Sequence, residues 1–321
     1  MAKPSGAEIL VYSQYASDLP RFRRILDEAL AGENIAYADS EEQARPHLAS
    51  VRVLYGWGFP DRMLEAMPKL RWIQKMGAGV EDVVRQWPFG DSVLLTRTDG
   101  RLIAPRMVEY VLCAILRRTL KLDQLDALRA QRRWEYLEIG SLRQHSIGIA
   151  GLGDIGAEIA SAVRALGAKA VGWRRTRAKC DAVERVYAGK GEFEAFLGAS
   201  SVVVLVLPMT NETAGLLDEK AFNAFKPGTH LINVGRGGVV DETALLRAMD
   251  RGRVSHATLD VFGTEPLPPS HPFWSDERVS MSPHLCGPLI PEDVAPHFIE
   301  NFHAFREQRP LKNRIAPERQ Y

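Results

Sequence analysis

The residues best suited to chemistry lie in a few short stretches. "GLGDIG" places Gly151, Gly153 and Gly156 in GxGxxG spacing. Glycines spaced this way allow a tight turn, close approach of backbone to a pyrophosphate, and close packing of a helix on a strand. The phosphates then sit at a helix N-terminus, where unpaired N–H groups and the dipole favour anions. The motif follows the strand-like "SIGIA" and precedes a helical pattern, which is the context that separates a dinucleotide site from a structural glycine turn. A dinucleotide fold usually carries an acidic residue about 20 residues further on, to hold the ribose diol. Here Arg174 stands 23 residues after Gly151, within "VGWRRT". A carboxylate repels a 2′-phosphate, whereas the guanidinium groups of Arg174 and Arg175 match its oxygens in a two-pronged fashion, and the Thr176 hydroxyl adds a donor. The stretch therefore favours NADP(H), with NAD(H) a possible second cofactor. Its alternative is a pair of solvated strand-end charges.

Three further signals are separated along the chain. "INVGRGGVVDE" sets Arg236 in a glycine-flanked turn after an apolar strand, "LDVFGTEPLP" sets Glu265 in a loop after another, and "MSPHLCGP" sets His284 near a third strand end. Side chains at the carboxyl ends of parallel strands converge on the crevice where ligands bind. Trp57, in "YGWGFP", also stands beside a strand end and either lines a pocket or packs.

The elements that must position these residues follow from periodicity. Strand-like runs at 7–14, 51–57 and 71–75 alternate with helical spacing at 19–32 and 60–70. Residues 106–134 read as one long helical stretch, after which the alternation restarts with strands at "HSIGIA", "KAVGWRR", "VERVYAG", "SVVVLVLP", "THLINVG" and "VSHATLDVF". The expectation is α/β: two doubly wound parallel-sheet domains. The division is residues 104–290 as the dinucleotide-binding part, and 1–103 with the tail 291–321 as a discontinuous second part. The tail at 291–310 is one amphipathic helix that returns to the first part.

Composition limits the function. The chain has 321 residues and a net charge of +1 with acids and bases interspersed, which gives no prior for nucleic acid or a membrane surface. Three cysteines without CxxC spacing argue against a disulfide framework and fit a reducing compartment. The start lacks a signal-peptide pattern and the longest apolar runs are too short to span a bilayer, so a cytoplasmic location is expected. The histidines show no metal-ligand spacing. His256 reads as a packed strand histidine and Cys286 as a small buried residue.

"GLGDIG", "INVGRGGVVDETALLRAM", "LDVFGTEPLPPSHPFW" and "SPHLCG", in this order, resemble the D-isomer-specific 2-hydroxyacid dehydrogenase family. "WRRT", "MVEY" and the tail are most similar to its glyoxylate/hydroxypyruvate reductase branch. The resemblance implies a Rossmann domain inserted in a flavodoxin-like substrate domain, closing on cofactor and substrate. It makes Arg236 the residue that binds the substrate carboxylate and polarises its carbonyl, His284 the general acid, and Glu265 the residue that holds the imidazole and raises its pKa. It adds Asp154, Ile155, Trp173 and Val234 as cofactor contacts, Asp260 at the nicotinamide amide, and Leu207, Pro208 and Thr213 beside the adenosine half. "KMGAGVED" matches the family's first-domain glycine turn, so the N–H groups of Ala78 and Gly79 would grip the substrate carboxylate. Glu81 departs from the aspartate of many relatives. By the same resemblance 106–134 is a homodimer surface.

The expected activity is NADPH-dependent reduction of small 2-keto acids to D-2-hydroxy acids. One alternative is another dehydrogenase of the family. Against this, the chain leaves no room after the tail helix for the extra domain common in phosphoglycerate enzymes. Glu265 also stands where formate enzymes use glutamine. The other alternative is a non-enzymatic NADP(H)-sensing interaction protein. No nucleic-acid or membrane partner is expected.

Overall fold

The computed structural model describes residues 7–60, 62–85, 87–90 and 92–316. The described residues up to Ile103 and from Leu289 onward form one compact unit, and Ala104–Pro288 form the other. Each is an all-parallel sheet covered by helices.

The first unit carries β1 (Ile9–Ser13), β2 (Ile35–Ala38), β3 (Val53–Trp57), β4 (Trp72–Lys75) and β5 (Leu94–Arg97), ordered β2-β1-β3-β4-β5. Its helices are α1 (Leu19–Ala29), α2 (Glu41–Ala44) and α3 (Glu81–Val84), together with the start of α4 (Gly100–Thr119). β1 and β4 are buried along their whole length, as parallel strands sandwiched between helices must be. The C-terminal helix of the chain (Pro291–Arg306) packs on this sheet: Phe298 stacks on Tyr55 at 4.2 Å and on Trp72 at 5.4 Å. A buried polar chain fixes its register, with the Asn301 amide donating to Gln74 Oε1 at 3.0 Å and Thr96 Oγ1 to the same oxygen at 2.7 Å. The sequence reading of 60–70 as a helix is corrected. Apart from Asp61, which lies outside the described residues, only a single 3₁₀ turn forms, at Leu64–Ala66. Pro60 and Pro68 leave too few residues between them for a helix that must bury a face.

The second unit carries β6 (Ser146–Ala150), β7 (Lys169–Arg174), β8 (Arg185–Ala188), β9 (Val202–Leu205), β10 (Thr229–Asn233), β11 (Val254–Leu259) and β12 (Val279–Met281), ordered β12-β11-β10-β9-β6-β7-β8. Its helices are the rest of α4, then α5 (Leu122–Ala130), α6 (Asp154–Ala165), α7 (Phe193–Ala199), α8 (Glu219–Asn223) and α9 (Glu242–Asp250); the C-terminal helix is α10. Strand order reverses between β6 and β9, and outside the carboxyl ends of such neighbouring strands is where this architecture binds ligands. The long helical stretch expected over 106–134 is broken. Lys121 takes a left-handed φ of 54°, separating α4 from α5, and Arg117 and Arg118 fold back onto Asp123. His256 is buried in β11, with Nε2 2.9 Å from Ser280 Oγ.

Candidate active site

The carboxyl end of β6 is built by glycine. Gly151 has φ 103°, and its N–H donates to Trp173 O at 2.9 Å; a Cβ at Gly151 would collide with the Val206 carbonyl. Gly156, one turn into α6, lies so near the Gly151 carbonyl that no side chain fits. Gly153 is the N-cap of α6 and supplies no side-chain cap, and a Cβ there would meet nothing within 4 Å. The first N–H groups of a 12-residue helix thus lack a side-chain cap, beside open space, which suits an anionic diphosphate. The neighbouring strand, β7, ends on half-buried Arg174, and exposed Arg175 and Thr176 follow. Arg175 lies 3.5 Å from Glu212.

On the other side of the switch point the ends of β10 and β11 carry the ionisable groups. Buried Asn233 folds the turn after β10, accepting from Gly235 N at 3.1 Å and donating to Arg236 O at 3.0 Å. This leaves Arg236 half-buried, its guanidinium donating to Gly235 O at 2.8 Å. In the loop after β11, Glu265 Oε1 accepts from Phe262 N at 2.9 Å, and Oε2 lies 2.8 Å from His284 Nδ1. Burial pushes the Glu265 carboxyl up. The bonds from His284 and Phe262, with the charges of His284 and Arg236, outweigh that effect and hold it below its ordinary value. Glu265 therefore stays ionised until the pH falls through the lowered value. With Nδ1 engaged, Nε2 is the ring nitrogen of the exposed His284 side chain left to exchange a proton.

His284 sits at φ 52°, a left-handed conformation costly for most side chains. Asp260 holds it there. The Asp260 carbonyl accepts from His284 N at 2.8 Å, and its fully buried carboxylate accepts from Ser282 Oγ at 2.5 Å, Leu285 N at 2.9 Å and Cys286 N at 3.0 Å. Because Ser282 donates to the carboxylate, the Tyr110 hydroxyl, 2.6 Å away, donates to Ser282. Burial pushes the Tyr110 phenol up to about 12, which keeps that donor protonated.

The family model for "D-isomer specific 2-hydroxyacid dehydrogenase, NAD binding domain" matches residues 111–286. The chain belongs to the D-isomer specific 2-hydroxyacid dehydrogenase family. Among curated relatives, glyoxylate/hydroxypyruvate reductase A of Serratia proteamaculans is 34% identical over 253 residues, covering 77% of this chain and 80% of the relative. The protein of the same name from Yersinia enterocolitica is 33% identical over 260 residues, covering 79% and 82%. Among solved structures, a D-isomer specific 2-hydroxyacid dehydrogenase of Xanthobacter autotrophicus in complex with NADPH and MES superimposes with a TM-score of 0.88 at 32% identity, covering 99% of this chain and 100% of that one. The NADPH-dependent glyoxylate/hydroxypyruvate reductase of Sinorhizobium meliloti, in complex with NADP and sulfate, gives 0.90 at 25% identity, covering 98% and 100%.

Within this family member, the residues singled out from sequence divide into two groups. Gly151, Gly153, Asp154, Ile155 and Gly156 form the turn and first helical residues after β6. Leu207 and Pro208 follow β9, and Val234 and Arg236 follow β10. Glu265 and His284 meet directly. In three of the expected cofactor residues the side chain is also engaged by the protein itself. The Trp173 indole packs on Phe193 at 4.8 Å and donates to Gly189 O at 2.9 Å. Thr213 Oγ1 donates to Pro208 O at 2.6 Å and accepts from Thr210 N at 2.8 Å, closing its own loop. Asp260 is 0% exposed, and its carboxylate holds the His284 loop. Cys286 is buried, and burial pushes its thiol far above the usual range.

Asp260→Asn separates the two roles. Its amide nitrogen cannot accept from a backbone N–H, so one buried donor of the loop loses its partner and stability falls by about 1–3 kcal/mol. A displaced His284 should lower kcat roughly 10- to 100-fold, with NADPH affinity within about threefold of wild type. Fluorescence titration with NADPH alongside kcat decides it: weaker NADPH binding at unchanged kcat would favour the nicotinamide contact.

Proposed function

We propose that the protein reduces small 2-keto acids of the glyoxylate and hydroxypyruvate type to D-2-hydroxy acids, with NADPH as preferred reductant. The observation that carries this is the 2.8 Å contact of His284 Nδ1 with Glu265, on a sheet whose β6 end carries the uncapped glycine turn. The second unit is the dinucleotide-binding domain and the first the substrate domain. Gly151, Gly153 and the start of α6 fit a diphosphate, and Arg174 and Arg175 fit a 2′-phosphate. When bound, NADPH supplies the hydride. Arg236 binds the keto acid's carboxylate and polarises its carbonyl, lowering the energy of the negative charge that develops on oxygen. His284 donates the Nε2 proton to that oxygen, and ionised Glu265 keeps the ring oriented and balances its charge. In the first unit the half-buried amides of Ala78 and Gly79 hold the carboxylate, and Trp57 bounds the substrate. Among the described residues those two amides donate to no acceptor, which supports this part.

The same enzyme is proposed to be a cytoplasmic homodimer formed through 106–134. Free cysteines at 113, 180 and 286 support the location. The fully exposed Trp134 and the exposed Leu122 and Leu125 support the interface. Among the described residues no helix is long and apolar enough to cross a membrane.

Steady-state reduction of a keto-acid panel tests the activity. Glyoxylate and hydroxypyruvate should be turned over, with kcat/KM for NADPH at least about tenfold above NADH. Light scattering on the same sample should give twice the chain mass. Tight NADPH binding without turnover of any keto acid would favour a sensing protein, and preference for NADH would overturn the cofactor assignment.

A further inference from the structure

Lys75, the last residue of β4, is completely buried, a rare placement for lysine. Its Nζ lies 2.6 Å from Asp82 Oδ2, 4.7 Å from the centroid of the Trp57 ring and 4.6 Å from that of Phe59. Burying an ion pair costs desolvation, and apolar side chains of similar volume often replace such pairs without loss of stability, so packing alone gives no reason for it. Its place in the chain supplies one. Lys75 stands two residues before the glycine turn at 77–79 and Asp82 three residues after it, in α3, so the pair clasps both ends of the turn.

The rest of the turn is held from the same side. Lys75 O accepts from Thr98 Oγ1 at 3.2 Å, Gly77 O from Thr98 N at 3.2 Å, and Ala78 O from Arg97 Nη1 at 3.1 Å. With the carbonyls drawn back, the amides of Ala78 and Gly79 are left as the donors. The Trp57 ring lies so close to Gly77 that a Cβ there would collide with it. Lys75 thus ties three parts together: the turn, the helix after it, and the aromatic ring against it.

We infer that Lys75 is a positioning residue for substrate, fixing the 77–79 turn and Trp57 as one rigid anion-binding surface through its ion pair with Asp82 and its cation–π contact. The inference rests on the proposed reading of that turn as the carboxylate cradle. Three variants test it: Lys75→Met, Lys75→Arg, and the double variant Lys75→Met, Asp82→Asn, which leaves no unpaired carboxylate and stays informative if the single variant does not fold. KM and kcat for glyoxylate and hydroxypyruvate are measured at saturating NADPH, with NADPH Kd by fluorescence. Both methionine variants should raise the keto-acid KM at least about tenfold, with kcat within about threefold, and Arg should recover part of the loss. NADPH Kd should not move, since the glycine turn and arginines assigned to it lie in the other unit. A KM within about twofold of wild type in the double variant reduces Lys75 to packing and overturns the inference. Parallel loss of kcat, KM and NADPH affinity also overturns it, as general destabilisation. Failure of the functional reading shows separately, as a wild-type protein that reduces neither acid, and the inference falls with it.

Discussion

Replacing His284 with asparagine is expected to lower kcat for keto-acid reduction about a thousandfold while leaving NADPH affinity unchanged. The choice of asparagine follows from the backbone. His284 has φ 52°, and asparagine tolerates the left-handed region better than other non-glycine residues, so the loop geometry survives while the proton donor is removed. A thousandfold loss is about 4 kcal/mol of transition-state stabilisation, the scale expected for removing a positioned acid. Glu265→Gln should cost less, roughly 10- to 100-fold, because the amide can still accept from Phe262 N but no longer balances a charged ring. The pH sign is fixed by the lowered Glu265 pKa. The stability this carboxylate contributes is present above its unfolded value and is lost as pH falls through the folded one. Rapid-quench or steady-state kinetics at matched NADPH saturation measure the effect. A His284→Asn enzyme within about tenfold of wild type would remove His284 from the acid role.

What the sequence made visible, and what it did not, has a physical pattern. β1, β3 and β4 stand out as apolar runs because parallel strands are buried on both faces. β2 (IAYA), β5 (LLTR) and β12 (VSM) are short and only partly buried, so they carry little periodic signal. The break at Lys121 is announced by neither glycine nor proline; it coincides with ion pairs from Arg117 and Arg118 to Asp123. At the site, glycine spacing and the order Arg236, Glu265, His284 are legible because residue type alone restricts what those positions can do. Partner choice is not legible. Asp260 and Thr213 carry polar groups that a sequence reader assigns to a ligand, and nothing in the sequence shows that each also has partners within the protein. The link from Tyr110 to Ser282 spans 172 residues of sequence. Lys75 is likewise one lysine among many until its burial is seen.

The cofactor preference should invert most sharply at the end of β7. Arg174→Gln with Arg175→Gln is expected to raise KM for NADPH about 100-fold, with NADH changed by less than about threefold. The strand ends at Arg174, and among the described residues its guanidinium makes no hydrogen bond or ion pair. Arg175 is partnered by Glu212 at 3.5 Å, but both side chains are about half exposed, at 50% and 56%. An exposed pair of this kind contributes at most about 1 kcal/mol. A charge-assisted bond to a phosphate dianion contributes roughly 1.5–3 kcal/mol, so a 2′-phosphate outcompetes Glu212 for the guanidinium. Two such bonds, less the Glu212 pair that one of them displaces, leave at least about 2 kcal/mol, so a 100-fold effect, about 2.7 kcal/mol, lies at the low end of what their removal should cost. NADH carries a hydroxyl there and gains nothing from either arginine, which is why the change is selective. The same electrostatics predict that raising ionic strength weakens NADPH more than NADH in the wild type, and that the difference disappears in the double variant. Equal loss with both cofactors would instead mean that the arginines support the strand end, and selectivity would have to come from elsewhere in the fold.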